Sequence, residues 1–420
     1  MKFSVLLPTR NRLDYLKYAV ETVVRQDYDD WELIISDNCS EEDIAGYVRS
    51  LNDPRIKYYR TESFVPVTDN WNNALDRSSG DYVIMLGDDD CLMKSYFTTL
   101  HRLINEYDRP EAIYSRAYVY AYPGVMPVPG LEDGYLELAG LADFLKSAKE
   151  PFWLNKEQGI ALVKQSMNFR LPFDYNMQYV TVSRKHIDSL HNAGQFFQSP
   201  FPDYYAMNVL FLKAERILVY PFPLVTIGIT PKSYGFYHFN KRETEGAGFL
   251  KNHASAAMAD RLRRVIMPGT SMNTGWLLAM ETIKANYGHE IDLHVNHRRY
   301  RLLQMINIYE DYYLHHRLTK EDLRELKNSM SLWERQLFNL IGLTPESQRG
   351  AMALKLRSLL KQYPEVYPKE SSSATKIFLK FLNKTIHCMI KRLIVVAPRI
   401  GIEVTDFGEL LFDRNFAKCQ

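Results

Sequence analysis

The stretch "GDYVIMLGDDD", residues 80–90, decides how the chain is read. Tyr82 to Gly87 are apolar almost throughout, as in a strand buried on both faces, and the run ends on three adjacent carboxylates, Asp88, Asp89 and Asp90. Like charges at the end of a buried strand repel one another, and burial resists their ionisation, so the arrangement calls for a cationic partner. A solvated acidic loop is the bland alternative, but such a loop favours Gly, Asn or Ser over a buried strand end.

Working outward, the upstream residues alternate strand-like and helix-like patterns. "FSVLLP" (3–8), "WELIIS" (31–36), "IKYYR" (56–60) and "DYVIML" (81–86) read as strands. "RLDYLKYAVETVVRQ", "EEDIAGYVRSLN" and a segment near 68–78 read as the helices between them. That alternation predicts an α/β fold with a mostly parallel sheet flanked by helices. Ligands bind such sheets beyond the carboxyl ends of the strands. Thr9-Arg10-Asn11-Arg12, Asp37-Asn38 and Asp88-Asp89-Asp90 each follow a different strand and are therefore expected to face one crevice.

Downstream the pattern loosens. From about 123 to 200 the chain reads as loops and irregular aromatic segments, followed by "YVTVSRKHIDSL" as a strand into a helix. "PDYYAMNVLFLKA" (202–214) reads as a helix entered through Pro202, and "RILVYPFPLVTIGI" as a strand or strand pair. After Phe239 the pattern is helical, with Thr319 opening one helix and Thr344-Pro345-Glu346 the next. The expected organisation is 1–238 as an α/β domain (1–120 and 121–238 its two halves), 239–362 as a helical domain, and 363–420 as a linker with a basic amphipathic helix. In that last helix Lys376, Lys380, Lys384 and Lys391 alternate with apolar residues, a pattern suited to an anionic membrane surface over 374–397 or to packing on a neighbouring helix.

Composition narrows the function classes. Lys plus Arg number 52 against 50 Asp plus Glu, a formal charge of +2, which gives no reason to expect nucleic acid as a partner. The four cysteines lie far apart with no C-x-x-C, arguing against a zinc site or a disulfide framework and fitting a reducing cytoplasm. No apolar run is long enough to span a bilayer, so a cytoplasmic chain with at most peripheral membrane contact is expected. No P-loop motif is present, and the oligomeric state stays open.

"SVLLPTRNR", "WELIISDNCS" and "GDYVIMLGDDD", in this order, resemble the nucleotide-sugar-binding domain of the family-2 glycosyltransferases, which has the GT-A (Rossmann-like) fold. The resemblance implies that Pro8, Thr9, Arg12, Asp37 and Asp88 bind the nucleotide and that Mn²⁺ or Mg²⁺ is held by Asp89, with Asp90 as its rival. Strand alternation would put Asp88 and Asp90 on one face if the strand continued; a turn at the strand end favours Asp89. Gly87 stands where many relatives have the first Asp of that motif. The resemblance also places Asp203 as the catalytic base, with Asp174 as the weaker candidate; a plain first-turn dipole role is the alternative for Asp203. Lys232 is in reach of a phosphate, and His238 is a further candidate metal ligand.

The implied activity is inverting transfer of a sugar from a nucleoside diphosphate sugar, UDP-linked by expectation, to a glycan or lipid-linked saccharide acceptor in polysaccharide biosynthesis. A divalent ion would neutralise the departing diphosphate, and a base would deprotonate the acceptor hydroxyl. The alternatives are a sugar-phosphate nucleotidyltransferase, disfavoured by the absence of glycine from "LLPTRNR", and a non-catalytic interaction protein on the same fold. Aromatic residues between 152 and 205 are as suited to stacking on sugars as to filling a core.

Overall fold

The computed structural model describes residues 1–127, 130–139, 142–240, 242–243, 256–332, 334–335, 338 and 346–362. Met1–Ala353 form one compact unit and Leu354–Gln420 a second. The segment 374–397, read from the sequence as a basic amphipathic helix, lies outside the described residues.

The strands are β1 (Phe3–Thr9), β2 (Trp31–Asp37), β3 (Ile56–Arg60), β4 (Tyr82–Met85), β5 (Cys91–Leu92), β6 (Ala112–Ala121), β7 (Tyr135–Ala139), β8 (Phe152–Leu154), β9 (Val180–Ser183) and β10 (Ile217–Ile229). They form one mixed sheet in the order β3-β2-β1-β4-β9-β6-β10-β5, with β7 added beside β6 and β8 beside β10. The first four strands are parallel, as their unbroken apolar runs predict: β1 pairs with β2 from Phe3↔Trp31 to Thr9↔Asp37, and with β4 from Phe3↔Tyr82 to Leu6↔Met85. Beyond β4 the pairing turns mixed, since β9 runs antiparallel to both β4 and β6 while β10 runs parallel to β6. The sequence from 217 to 230 is one strand, Ile217–Ile229, whose register shifts between Tyr220 and Val225 accommodate its two prolines.

The helices of the sheet region are α1 (Leu13–Val24), α2 (Ile44–Leu51), α3 (Val67–Asp76), α4 (Tyr96–Glu106), α5 (Asp143–Lys146), α6 (Lys156–Met167), α7 (Arg184–Ser189), α8 (Pro202–Lys213) and α9 (Tyr234–Phe239). α1 buries Leu16, Ala19, Val20 and Val23, the stripe its spacing predicts. The reputedly irregular 123–200 region holds the hairpin strand β7, the short strand β8, and α6, whose Asn155 and Gln158 form a reciprocal N-terminal cap. Past residue 239 the described residues are helical, at Ala256–Leu262, Ser271–Tyr287, His297–Tyr313, Lys320–Ser329 and Glu346–Gln362. Helix Ser271–Tyr287 packs directly on the sheet region. The Trp276 indole donates to the Ser166 carbonyl at 2.9 Å, and a Cβ at Gly275 would sit 2.1 Å from the Phe201 ring just ahead of α8.

One buried charge ties the parallel strands together. Glu32 is 1% exposed near the start of β2, where an apolar residue would be expected, and accepts from Ser4 Oγ (2.7 Å), Lys2 Nζ (2.8 Å) and Lys57 Nζ (2.5 Å). Burial favours its neutral form, but the hydrogen bonds from Lys2, Lys57, Ser4 and the Ser79 amide outweigh it and hold the carboxyl well below its usual range. A carboxyl depressed on folding stabilises above its unfolded pKa and loses that contribution as pH falls toward the folded value. Glu32→Gln should therefore cost about 2 kcal/mol at pH 7, reduced from a fully buried pair because both lysines are partly solvated. In urea titrations that deficit should shrink as the pH is lowered below about 4.5, the ordinary value for this group.

Candidate active site

The strand order places a crevice between β1 and β4. From β1 the chain goes to β2 on one side and later returns to β4 on the other, so the loops after β1 and β4 part there and leave a gap outside the carboxyl edge. A cleft of about 140 Å³ opens at that point, lined by Pro8, Thr9, Arg10, Arg12, Asn38, Val67, Asn70, Trp71, Gly87, Asp88 and Asp89. The three polar clusters of the sequence thus converge, although Asp37 and Asp90 do not line the cleft.

The carboxylate triplet does not act as a block. β4 ends at Met85 and the chain turns through Asp88 and Asp89, so strand alternation no longer applies and the three side chains diverge. Asp88 accepts from Thr9 Oγ1 at 2.7 Å and Arg12 Nη1 at 2.8 Å. Asp89 Oδ2 accepts from Thr230 Oγ1 at 3.0 Å and from Ser233 Oγ, with Arg12 Nη1 at 3.5 Å. Asp90 is fully committed to the chain. Its Oδ2 accepts from the Gly87 amide (2.7 Å) and Gln178 Nε2 (2.8 Å), and its Oδ1 from the Gly228 amide (2.9 Å). Buried, and next to Asp89, Asp90 is pushed up to about 7. Its oxygens are spent on pinning the turn, so the geometry favours Asp89 over Asp90 for an ion.

The cation that the sequence called for is partly internal. Burial opposes a charge on Arg12, but Asp88, Asp89 and Asp90 more than offset this and raise it well above the usual guanidinium value. For Asp88 burial, with Asp89 beside it, outweighs Arg12 and raises the carboxyl above its usual range, while Arg12 Nη1 stands 2.8 Å from its Oδ1. Arg12 Nη2 also donates to the Lys232 carbonyl, and Lys232 Nζ donates to the Asn11 carbonyl at 2.7 Å, closing segment 230–233 over the first loop.

Two glycines explain the turn. A Cβ at Gly87 would lie 2.4 Å from Asp90 Oδ2, and one at Gly228 would lie 1.9 Å from the Asp89 carbonyl. The departure at position 87 is thus dictated locally, because any side chain there would strike the carboxylate that holds the turn.

Asp37 is closed off. It accepts from Tyr58 Oη at 2.6 Å and the Ser40 amide at 2.9 Å, and is 1% exposed. Its neighbour Asn38 faces the cleft and clasps Val65 through both its amide atoms, at 2.8 and 2.9 Å. Arg10 packs over the Phe64 ring at 4.2 Å and donates to the Asn38 carbonyl at 2.6 Å. His238 pairs with Glu243 at 2.6 Å rather than with the triplet. Asp174 is 6% exposed and is bound to Tyr114 Oη through both its amide and its carboxylate.

Asp203, in the first turn of α8, is half-buried and does not line the cleft, but α3, which holds the loop before α8, does. Thr68 of α3 donates to the Ser199 carbonyl at 2.6 Å, Asn72 exchanges hydrogen bonds with Phe197, and Trp71 meets the Phe197 ring edge-on at 5.2 Å. On the other side Phe201 meets Tyr234, next to Ser233, at 5.1 Å. Burial lifts Asp203 to about 7, against hydrogen bonds from the backbone at Tyr204 and Asp203. The sequence reading missed Trp71, Asn70, Thr230 and Gln178; "NWNNAL" looks like an ordinary amphipathic segment, and only the fold brings its Trp to the cleft.

Among the described residues no three His, Cys, Asp or Glu side chains gather as a metal cage, and no helix is long and apolar enough to cross a membrane. Asp89 Oδ1 accepts no hydrogen bond among the described residues, which suits an ion held by one protein carboxylate and shared with substrate phosphates. If Gly87 and Gly228 set the turn, Gly87→Ala should loosen Asp90. It should lower stability by about 1–3 kcal/mol in denaturant titrations, with Gly228→Ala at least as damaging because its obstacle is backbone.

Residues 4–149 match the family model described as glycosyl transferase family 2. A GalNAc(5)-diNAcBac-PP-undecaprenol beta-1,3-glucosyltransferase of Campylobacter jejuni is 39% identical over 108 residues, covering 25% of this chain and 35% of that protein. A putative colanic acid biosynthesis glycosyl transferase, WcaA of Escherichia coli, is 39% identical over 89 residues, covering 21% of this chain and 32% of that protein. The chain thus spans about a third of the length of these curated relatives. Among solved structures, S. aureus TarS 1–349 aligns at 16% identity with a TM-score of 0.44, covering 74% of this chain and 86% of that one. The segment matched by the glycosyl transferase family 2 model, residues 4–149, holds the residues that line the cleft.

Proposed function

We propose that this protein transfers a sugar from a nucleoside diphosphate sugar to a saccharide acceptor, with inversion at the transferred carbon, on the GT-A arrangement of its N-terminal region. The observation that carries the reading is the cleft itself, where Thr9, Arg12, Asp88 and Asp89 meet at the β1/β4 gap, with a half-buried carboxyl near pKa 7 on the flanking helix. The printed name of the Campylobacter relative specifies an undecaprenyl diphosphate-linked acceptor, and a lipid-linked saccharide is the acceptor class proposed for this chain.

In this reading Thr9, Arg12 and Asp88 hold the nucleotide, with Lys232 at the rim. Asp89 would hold Mn²⁺ or Mg²⁺, which when bound neutralises charge on the departing diphosphate. Asp203 takes the proton from the acceptor hydroxyl as its oxygen attacks the anomeric carbon from the face opposite the diphosphate. A carboxyl raised to about 7 by burial is a far better base than an ordinary aspartate while still ionising at cellular pH. Asp37 is locked by Tyr58 and Ser40, which assigns it to holding the Asn38 loop more than to a free contact with the base.

Incubation with a panel of UDP-, GDP- and TDP-sugars, followed by assay of nucleoside diphosphate release, tests the reading. One donor should be hydrolysed slowly, and an acceptor should accelerate that release. Failure of every donor to bind would sink it. Asp203→Asn should lower transfer by about 10²–10⁴-fold while nucleotide affinity changes little. In the unaltered protein kcat/KM should rise with pH through about 7, because the base must be deprotonated. Equal loss of binding and transfer in Asp203→Asn would make the residue structural.

A further inference from the structure

Arg12 stands beside Asp89, the carboxylate on which a metal would be held, and contacts its Oδ2 while Oδ1 accepts no hydrogen bond among the described residues. Its Nη1 stands 2.8 Å from Asp88 Oδ1 and 3.5 Å from Asp89 Oδ2, and its Nη2 is bonded to the Lys232 carbonyl. The side chains of Arg12, Asp88 and Asp89 are only 11%, 5% and 9% exposed, so water screens this cluster poorly. A divalent ion on Asp89 would therefore face a nearly buried guanidinium at close range, an unfavourable pairing of like charges. Arg12 lines the same cleft as Thr9 and Arg10, and a guanidinium is built to grip phosphate oxygens in a fork.

We propose that Arg12 is a placeholder cation. In the donor-free protein it neutralises Asp88 and leans on Asp89. A diphosphate in the cleft draws its fork off Asp89 and leaves that carboxylate open to a divalent ion. The inference rests on the nucleotide-sugar reading above. Its consequence is that metal and nucleotide bind as a coupled pair, each raising the other's affinity by the same factor. The protein without nucleotide then holds a divalent ion at its acidic turn only weakly.

Lys232 provides the comparison. Its Nζ sits on the Asn11 carbonyl and 3.8 Å from Glu42, so it contributes positive charge near the cleft while making none of the contacts to the triplet. Mn²⁺ titrations followed by electron paramagnetic resonance of the free ion separate specific occupancy from a general field. Wild-type protein should bind Mn²⁺ at least about tenfold more tightly with UDP than without it. Without nucleotide, Arg12→Gln should bind the ion at least about tenfold more tightly than wild type, and UDP should then add less. Lys232→Met should shift the affinity less than about threefold, the size of a screened charge effect.

Equal gains in Arg12→Gln and Lys232→Met would reduce the effect to a general field and overturn the proposal. So would Mn²⁺ affinity in the wild type that UDP leaves unchanged. Should Arg12→Gln lose its near-ultraviolet circular dichroism, Asp89→Asn in the wild-type background decides: it should abolish the UDP-linked gain, and a gain that persists overturns the proposal. If calorimetry finds no UDP binding at all, the nucleotide-sugar reading fails separately. The nucleotide-free comparison of Arg12→Gln with Lys232→Met still rules on the placeholder.

Discussion

A buried carboxylate must be met by donors or by charge, and three in succession at the end of one strand need more donors than one partner supplies. Much of the geometry around the cleft follows from that constraint. Asp88 is answered by Thr9 and Arg12 of the β1 loop, Asp89 by Thr230 and Ser233 after β10, and Asp90 by Gln178 and the Gly228 amide. The answers come from the β1 loop, from Gln178 and from residues 228–233, so the turn after β4 works as a knot joining the parallel strands to the later ones. The knot also sets backbone requirements, since Gly87 and Gly228 are the two places where an added Cβ would strike it.

The same knot defines what the cleft can do. With Asp90 committed to the chain and Asp88 to Arg12 and Thr9, Asp89 is the carboxylate of the triplet with an oxygen that accepts no hydrogen bond among the described residues, at the point where the loops of β1 and β4 separate. The flanking elements converge on that point. α3 carries Val67, Asn70 and Trp71 into the cleft and holds the loop before α8 through Thr68 and Asn72, while helix Ser271–Tyr287 backs Phe201 and Tyr204 with Gly275 and Trp276. The late helical region therefore buttresses the start of α8.

How far the sequence could be read depends on how local each cause is. The parallel strands were legible because burial on both faces writes itself into consecutive residues, and α1 because its apolar stripe repeats within one helix. The convergence of the three polar clusters followed from strand alternation alone. Asp90 was not legible, because Gln178 and Gly228 lie 88 and 138 residues away. Asp37 was hidden for a similar reason, since Tyr58 on the neighbouring strand fills it. That Arg12 stands against Asp88 and Asp89 was not legible, because Arg12 and Asp88 are 76 residues apart. Glu32 lay unnoticed in an apolar run because its lysines come from the strands on either side. β7 and β8 escaped because short edge strands made of mixed residues lack a period.

The choice between the two candidate bases turns on what surrounds each carboxyl. Asp174 is buried, and its amide and carboxylate are both tied to Tyr114 Oη, so accepting a substrate proton there would break into a closed core. Asp203 is half-buried, with backbone donors at Tyr204 (2.9 Å) and at Asp203 itself and no cationic partner among the described residues. Its raised pKa thus comes from desolvation without a compensating charge, the condition under which a carboxylate gains basicity. An ion pair there would stabilise the fold further and lower the pKa, weakening the base. Among the described residues Asp203 has backbone donors and no cationic partner, whereas Asp88 is paired with Arg12 and Asp90 accepts from three donors, which is the physical difference between these carboxylates.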